Sequence, residues 1–573
     1  MEQRMWLAIT LSMAVLLGYY MIFPPPAPRP PAAKAPASEA PAAQNTTPAV
    51  TPPSAALQAR DATPAPVLRA PSQGRRIPVE TPLYLAELDT AEGVLVSFRL
   101  KHYRDAKANI DWGDVIPALR TWISKTTVDG DAPVEMVHRF RKGHDVFGVR
   151  FQGEDSLTER FRQVIYTTDV DAVHLVTGAN DPGKLVLTGV GPDGLTVEKT
   201  FTFYRDNYLI GYSLSVINRG TAPKTMQVVS QFGEGPAPTA GERGSHAPPS
   251  PIWRLEKGVQ TEDPEDVKPG LAIQDPQWVG IGSPYFLSAA APRSKVERAY
   301  FDAEEIQTTP DIKRWVASYR IDLPQVALQP DKMISSEFQM YLGPKATGEL
   351  TKFGSRLDEA LNLTLEVLAL PMLALMRWFH SFSGNWGVAI ILLTVVVRVV
   401  LFPFTYKGML SIKRMQKLQP KFVTLREKYK NDKERLNKEM MLLYKRYKMN
   451  PLGGCLPILL QIPVFFALYS ALQGAIELRH TAFIGWVTDL SAMDGLYIMP
   501  VFMGASMIYQ MRLSPSSPDP VQAKIMQWMP VVFTFFMFQF PSGLVLYWFT
   551  SNLLSIAQQV LINRAHIPDP VEA

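Results

Sequence analysis

The residues able to form membrane spans are concentrated at the start of the chain and in its last third. Residues 5–23 contain no charged side chain, and a helix rising about 1.5 Å per residue would cross a bilayer over this length. They predict an N-terminal transmembrane signal anchor over residues 1–23. A cleavable signal peptide is the alternative, but three prolines follow directly and no A-x-A cleavage motif does.

Residues 24–78 are rich in proline and alanine and contain fifteen of the 49 prolines. Such a composition buries too little apolar surface to fold, and its prolines favour extended polyproline II geometry. We therefore predict a linker that tethers the anchor to the next domain. A docking site for a proline-reading partner domain is the alternative.

Between residues 79 and 345 apolar and polar positions alternate with a period of two, which is typical of half-buried strands. Two runs place the following residues on one face each: Leu195, Val197, Phe201 and Phe203, then Tyr208, Ile210, Tyr212, Leu214 and Val216. We predict a large antiparallel all-β domain, a sandwich. Its five histidines are expected to be ordinary surface or core residues, with a catalytic pair as the alternative.

From residue 350 onward the pattern is that of a membrane bundle. Residues 350–383 are apolar on one face and charged on the other, which predicts an amphipathic helix lying along the membrane surface. The predicted spans that follow are 385–404, 456–476, 496–511, 526–540 and 544–562. The fourth is short, so we expect it to extend upstream or to lie in thinned bilayer. With the anchor, the prediction is six transmembrane helices.

The positive charge of the chain is concentrated in residues 405–452. This segment carries fourteen Lys and Arg but four Asp and Glu, a net charge of +10, whereas the whole chain carries +5. The positive-inside rule therefore places the segment in the cytoplasm. Counting spans from it puts residues 79–345 outside and both termini inside, with residues 563–573 as a short cytoplasmic tail.

The basic segment also has helical order, because apolar residues recur every three to five positions on both sides of Asn431-Asp432. This predicts an antiparallel helical hairpin with a charged exterior. Its charge either secures topology and contacts anionic lipids or docks an acidic partner such as ribosomal RNA. The candidate docking residues are Lys413, Arg414, Lys417, Lys421, Arg426, Lys445 and Arg446.

The composition argues against several classes of enzyme. The single cysteine, Cys455, excludes an intrachain disulfide and a Cys-cluster metal site. The eight histidines form no H-x-H or H-E-x-x-H motif, and no phosphate-binding G-x-x-x-x-G-K-[ST] loop occurs. We expect no metal, no cofactor and no enzymatic activity.

Arg398 interrupts the apolar run 388–402, in which Thr394 is the other polar residue. A guanidinium near the bilayer centre costs about 2.5–3.5 kcal/mol on insertion scales. Thr394 lies four residues earlier and therefore points the same way on a helix. Because Pro403 follows five residues later, near the cytoplasmic end, snorkelling of Arg398 to the headgroups is the alternative to a functional cation.

The last predicted span carries a polar stripe. Residues along it and on the other spans predict a hydrated groove that opens toward the cytoplasm: Gln461, Gln510, Tyr547, Ser551, Asn552, Ser555 and Gln559. Ordinary hydrogen bonding between helices is the alternative for any single one of them. The spans contain no Asp or Glu, which argues against a proton relay.

Three motifs give the chain a resemblance to a known family. They are N-W-G at 385–387, N-P-L-G-G-C at 450–455 and F-P-S-G-L-V-L-Y at 540–547. In these residues the chain resembles the Gram-negative branch of the YidC/Oxa/Alb family of membrane protein insertases. The resemblance implies a polytopic α-helical protein of the bacterial inner membrane, with a five-helix insertase core over 384–562. It also implies a periplasmic β-supersandwich over 79–345, reached through a periplasmic linker.

The resemblance further implies a mechanism and partners. Arg398 would draw the short outer segment of a nascent membrane protein into the groove while its apolar segment slides along two helices. The implied slide residues are Ile458, Phe465, Met529, Phe533 and Phe536. The implied partners are nascent membrane proteins, the Sec translocon, the ribosome, the signal-recognition-particle receptor and anionic lipids, with no DNA. The implied activity is that of an insertase and chaperone.

Two features depart from the family pattern. Trp548 stands where relatives usually have tyrosine, so a hydroxyl contact with substrate is lost there while a stacking contact remains. The last eight residues contain two acids and no Lys or Arg, so ribosome binding would depend on residues 405–452.

Two other functions stay open from the sequence alone. A small-solute transporter or channel would be supported by repeats in the spans, and none is found. A membrane-tethered carbohydrate-binding or carbohydrate-processing protein is the other, because supersandwich folds include sugar-binding proteins. That function needs a carboxylate or histidine pair in a cleft.

Overall fold

The structure is a computed structural model of the chain. It describes residues 60–61, 74–104, 132–141, 143–176, 182–191, 194–235, 248–309, 312–363, 365–429, 432–447, 456–513 and 520–564. The predicted anchor over residues 1–23 lies outside the described residues, as do most of the predicted linker and of the predicted tail.

The first large part of the described chain consists of strands. Their bounds are β1 (Arg60–Asp61), β2 (Arg76–Glu80), β3 (Tyr84–Asp89), β4 (Val94–Arg104), β5 (Pro133–Glu135), β6 (Val146–Phe151), β7 (Val173–His174), β8 (Gly183–Val190), β9 (Leu195–Phe203), β10 (Leu209–Asn218), β11 (Lys224–Met226), β12 (Val228–Glu234), β13 (Ser250–Leu255), β14 (Gly258–Thr261), β15 (Leu271–Ile273), β16 (Trp278–Gly282), β17 (Phe286–Pro292), β18 (Arg298–Thr309), β19 (Ile312–Asp322), β20 (Val326–Leu328) and β21 (Lys332–Pro344). One helix, α1 (Asp155–Arg162), interrupts them.

The strands form two large sheets. The first has the order β14-β13-β16-β17-β21-β10-β9-β8, with β1 paired to β21. The second has the order β15-β18-β19-β12-β6-β4-β3-β2-β7, with β5 paired to β4. Strand β7 pairs with β2 in parallel, whereas β9, β10 and β21 are joined antiparallel. The predicted antiparallel β-domain is confirmed.

Aromatic side chains from both sheets fill one common core. Phe147 of the second sheet contacts Phe201 and Tyr212 of the first, with ring centroids 5.0 and 4.6 Å apart. Phe232 of the second sheet meets Phe338 of the first at 5.2 Å. The alternating positions predicted for β9 and β10 lie in this core, because each strand presents every second side chain to it.

The β-domain begins slightly earlier than residue 79. Strand β2 starts at Arg76, because Ile77 is as completely buried as Val79 and belongs to the same core. Within the predicted linker, Arg60 and Asp61 pair with β21.

Helices make up the rest of the described chain. Their bounds are α2 (Thr347–Phe353), a 3₁₀ turn (Leu357–Leu361), α3 (Glu366–Ser383), α4 (Trp386–Lys417), α5 (Gln419–Lys428), α6 (Lys433–Arg446), α7 (Leu456–Gly474), α8 (Ile498–Leu513), α9 (Pro520–Met537) and α10 (Ser542–Arg564).

Residues 350–383 do not form one amphipathic helix, so that prediction is wrong. The segment is broken at Arg356, Asn362 and Leu365, where φ is positive. The segment is broken because it contributes side chains to two separate cores. Leu357 packs into the β-domain, whereas Met376 of α3 packs among the later helices. One straight helix cannot satisfy both.

The helices extend beyond several predicted spans. Helix α4 begins at Trp386 but continues through the basic residues to Lys417 rather than ending at 404. Helix α9 extends upstream of 526 to Pro520, which is one of the two expectations for this short span. Helix α7 ends at Gly474 because Ile476 turns into the β-domain core. Helices α5 and α6 form the predicted hairpin around Phe422 and Leu443.

Two of the described helices are long and apolar enough to cross a membrane, over Trp386–Leu410 and Ser542–Ile562. Leu460–Gly474 and Met526–Met537 are apolar but shorter. The count of six spans stays a prediction.

Polar contacts join the β-domain to the helices. Arg479, in the segment between α7 and α8, donates to the backbone oxygen of Arg104 at 2.6 Å and lies over the ring of Phe286 at 5.2 Å. Within the helical part, Arg377 of α3 donates through Nε to a carboxylate oxygen of Glu477 at 2.9 Å. The contacts of Arg479 therefore connect the segment after α7 to β4 and β17.

A buried lysine joins the two sheets. The Lys199 ammonium on β9 is completely buried and donates to the backbone oxygens of Glu92, Gly93 and Phe147, each at 2.9 Å. Glu92 and Gly93 lie in the turn between β3 and β4, and Phe147 lies on β6; all three strands belong to the second sheet. Burial lowers the pKa of Lys199 to about 7 from 10.5. Between these pH values the unfolded chain keeps a proton that the folded protein releases, so this residue's contribution to stability increases as the pH rises.

We predict that Lys199→Met lowers the free energy of unfolding by about 3 kcal/mol, because it leaves three buried carbonyl groups without a donor. Thermal unfolding of the detergent-solubilised protein measures this change. The difference from the parent protein should be larger at pH 9 than at pH 6.

Lys184→Met on the neighbouring strand β8 is the matched control, because Lys184 is exposed. It should change stability by no more than about 0.5 kcal/mol. Equal losses in the two variants would contradict a joining role for Lys199.

Candidate functional site

Arg398 lies within the apolar part of α4 and faces α10. It is half-buried, and its Nε donates to the hydroxyl oxygen of Ser551 at 3.0 Å. Its Nη2 donates to the same oxygen. No carboxylate of the described residues lies within 4.0 Å of this guanidinium. A neutral hydroxyl therefore holds the arginine without cancelling its charge.

Thr394 does not share this contact. Its side chain is completely buried, and its hydroxyl donates to the backbone oxygen of Ile390 at 2.7 Å, one turn earlier in α4. Thr394 and Arg398 do lie four residues apart on one helix, but the hydroxyl hydrogen of Thr394 is directed at the backbone. Threonine in an apolar helix commonly satisfies its hydroxyl in this way.

The polar stripe of α10 connects it to three other helices. Tyr547 accepts a hydrogen bond from Gln461 of α7, and Ser551 accepts from Arg398 of α4. Asn552 donates to the hydroxyl of Ser506 on α8 at 3.2 Å. Such bonds between helices are what polar groups in an apolar environment require. The stripe thus contributes to packing between helices.

The remaining stripe residues differ in their surroundings. Ser555 donates to the backbone oxygen of Ser551 at 2.9 Å, within α10 itself. Gln510 and Gln559 are half-buried on α8 and α10. Gln558 donates to the hydroxyl of Thr405 on α4 at 3.1 Å.

Sequence reasoning missed two partners in this network, Ser506 and Thr405. Ser506 is buried and Thr405 is 3% exposed. Each is one hydroxyl in a mainly apolar stretch, which is a weak signal taken singly. Only their position opposite Asn552 and Gln558 distinguishes them.

Trp548 lies between two helices of the predicted slide. Its ring is 5.1 Å from that of Phe465 on α7 and 4.8 Å from that of Phe533 on α9. The three rings form an aromatic clamp that joins α7, α9 and α10. An indole provides more ring surface for this contact than the expected tyrosine would.

Two of the other slide residues are exposed on the surface of the bundle. Met529 and Phe536 of α9 are 52% and 55% exposed. The side chain of Ile458 lies outside the described residues. An apolar, unburied face of this kind is suited to lipid or to an apolar segment of another protein.

Two of the predicted docking lysines make contacts within the chain. Lys413 donates to the backbone oxygen of Ile562 at 2.8 Å, where the carbonyl end of α10 attracts a cation. Lys421 donates to the hydroxyl of Tyr447 and lies over its ring at 4.7 Å, which joins α5 to α6. Both contacts join segments of the chain, and a docking role for these lysines stays a prediction.

The other docking candidates lie on the hairpin and the end of α4. Lys417 and Arg446 are exposed, and Arg426 is half-buried. The side chains of Arg414 and Lys445 lie outside the described residues. Within the described part of the chain, no group of three or more His, Cys, Asp and Glu residues could hold a metal ion.

Comparisons with known proteins place the chain among bacterial insertases. Residues 378–569 match the family described as 60Kd inner membrane protein, and residues 120–375 match the YidC periplasmic domain. A membrane protein insertase YidC from Syntrophus aciditrophicus is 35% identical over 573 residues, covering 98% of this chain and 100% of the relative. One from Nitratidesulfovibrio vulgaris is 38% identical over 510 residues, covering 85% and 86%.

A solved structure of an active YidC insertase, with the first transmembrane domain resolved, is also similar. It is 18% identical, with a TM-score of 0.36, and the match covers 87% of this chain and 94% of that one.

We predict that Trp548→Ala lowers the free energy of unfolding by about 3 kcal/mol, because it removes the centre of the aromatic clamp. Trp548→Phe keeps a ring and should lose less than half as much. Thermal unfolding in detergent measures both changes.

Trp528→Ala on α9 is the matched control, because Trp528 is 60% exposed and outside the clamp. A change of about 0.5 kcal/mol or less is expected there. A loss as large as that of Trp548→Ala would show that the clamp is not the cause.

Proposed function

Because this chain belongs to the YidC family of membrane protein insertases of the bacterial inner membrane, we propose that Arg398 and the polar face of α10 form its substrate groove. The substrates of an insertase are membrane proteins. In the proposed mechanism, the polar outer segment of an incoming protein enters the groove while its apolar segment passes into the bilayer. The single observation that carries this proposal is the contact between Arg398 and Ser551.

The contact supports the proposal through its charge. Moving a polar or acidic segment across hydrocarbon is unfavourable because each group loses its hydration. A cation that is held by a neutral hydroxyl keeps its attraction for an incoming carboxylate, whereas an arginine paired with an acid would not. The attraction is stronger in a weakly polar surrounding than in water.

The apolar segment of the substrate needs a separate path. We propose that it slides along α7 and α9, where Met529 and Phe536 are exposed and Phe465 and Phe533 are held by the clamp around Trp548. Water in the groove shortens the hydrophobic distance that the polar segment must cross. No covalent step is required, so we propose that the protein acts as insertase and chaperone and not as an enzyme.

Orientation and partners are part of the same proposal. The charge of residues 405–452 favours a cytoplasmic hairpin, with both termini inside and the β-domain in the periplasm. We propose six spans in total. Exposed basic residues such as Lys417 and Arg446 are the favoured positions for the ribosome, the signal-recognition-particle receptor or anionic lipids. The Sec translocon is proposed as a partner for substrates with large outer domains.

We predict that Arg398→Ala reduces insertion of substrates with acidic outer segments roughly tenfold, equivalent to about 1.4 kcal/mol in the barrier. Arg398→Lys should retain most activity, because it keeps a cation. Protease protection of the translocated segment in proteoliposomes measures insertion.

Arg512→Ala at the end of α8 is the matched control and should leave insertion unchanged, because this arginine is exposed. Equal losses in Arg398→Ala and Arg398→Lys would mean that guanidinium geometry matters and charge does not. Full insertion by both would refute the groove.

We also predict that a photocrosslinker at Phe536 captures a stalled nascent chain several-fold more efficiently than one at Phe502. The two residues are matched, because both are phenylalanines that are 55% exposed, but Phe502 lies on α8, outside the proposed slide. Equal capture at both positions would argue against a preferred path along α9.

A further inference from the structure

A shallow cleft lies on the outer face of the second β-sheet, far in sequence from the proposed groove. Phe301 of β18 and Tyr319 of β19 point into the core. The residues directly before and after each of them on its own strand therefore point outward. The outward residues of four adjacent strands and of the segment before β6 form the cleft: His144, Arg150, Tyr300, Asp302, Ser318 and Arg320.

A β-bulge shapes the floor of the cleft. The pairing of β12 with β19 shifts register between Gln231 and Glu234, and Gly233 within the bulge has a φ of +75°. A Cβ atom at Gly233 would come within 2.4 Å of the Val146 side chain, so only glycine fits here. Bulges of this kind re-aim side chains and are frequent next to binding sites.

Arg150 presents its guanidinium to the cleft without a hydrogen-bond or ion-pair partner in the described part of the chain. It is half-buried, and burial followed by the charges of Arg162 and Arg320 lowers its pKa. Asp155 and Glu159 act in the opposite direction without forming an ion pair with it. A guanidinium has five N–H donors, and a half-buried one without an acceptor gains from binding an anion.

His144 adds a neutral donor. Its Nδ1 lies 2.9 Å from the hydroxyl oxygen of Ser318, which also accepts a hydrogen bond from Arg141 at 2.9 Å. Burial lowers the pKa of His144 to about 4, so the ring is neutral at pH 7. A neutral imidazole has one N–H donor and one acceptor nitrogen.

Arg320 supplies a second cation held in a fixed position. Its guanidinium lies over the ring of Tyr300 at 4.6 Å, and its Nε is 3.5 Å from a carboxylate oxygen of Asp322. The acidic group in the cleft, Asp302, accepts a hydrogen bond from Arg141 at 3.1 Å. Asp322 is the other carboxylate near the two arginines: it is buried, it pairs with Arg320, and the charge of Arg150 acts to lower its pKa against the larger effect of burial.

We propose that this cleft binds an anionic oxygen group, a carboxylate or a phosphate, between Arg150, His144 and Arg320. The planar fork of a guanidinium matches two oxygens of either group. Because the cleft is shallow, it holds the charged group itself and leaves the rest of the ligand in solvent. The site is independent of the proposed insertase groove, and its ligand is recognised by charge and geometry.

The test is isothermal titration of the full-length, detergent-solubilised protein with inorganic phosphate and with malonate, at pH 7 and constant ionic strength set by chloride. At least one of the two should bind. Arg150→Gln should weaken that binding by about tenfold or more. Arg293→Gln, which removes an exposed arginine between β17 and β18, should not change it.

The outcomes separate the sources of the ligand. Binding of malonate alone indicates a carboxylate, binding of phosphate alone indicates a phosphate, and either supports the proposal if Arg150→Gln weakens it. Should Arg150→Gln fail to fold, as judged by thermal unfolding, Arg320→Gln replaces it with the same expectation. Binding of neither probe, or equal binding by the Arg150→Gln and Arg293→Gln variants, would overturn the proposal.

Discussion

The hydrogen bond between Arg398 and Ser551 is the interaction on which the helical core depends. It places a cation inside an apolar helix and satisfies two of its donors with one neutral hydroxyl at 3.0 Å from Nε. A carboxylate partner would stabilise the charge more strongly but would also neutralise it. The structure therefore holds an arginine whose charge is not neutralised by a carboxylate of the described residues, and the proposed function depends on that charge.

Helix α10 brings the other features of the core together. Its polar side chains bond to α4, α7 and α8, while Trp548 on its neighbouring face packs between Phe465 and Phe533. Polar bonds connect α10 to α4, α7 and α8, and the aromatic clamp connects it to α7 and α9, the helices of the proposed slide. The same helix thus positions the charged part and the apolar part of the proposed path, so a change in its packing affects both.

The prediction of a single helix over residues 350–383 failed because this segment contributes to two separate cores. Residues 350–383 were predicted as a single helix from their apolar face, yet Leu357 belongs to the β-domain core. Lys413 and Lys421 are docking candidates by their charge; in the structure the first contacts the end of α10 and the second contacts Tyr447, and the docking role stays a prediction. Trp548 packs against Phe465 and Phe533, and its substrate contact stays a prediction. Periodicity and charge reveal a face but not what covers it.

The sequence by itself determined the β-domain, the apolar helices and the position of the basic segment. Burial in a sheet and the lack of hydrogen-bonding water in a bilayer impose local patterns, and local patterns can be read along the chain. The tertiary structure alone decided the partners: Ser551 meets Arg398 across 153 residues, and Lys199 meets carbonyl groups of the opposite sheet. Such contacts depend on how segments distant in the sequence pack together, and the local sequence pattern around each residue does not indicate its partner.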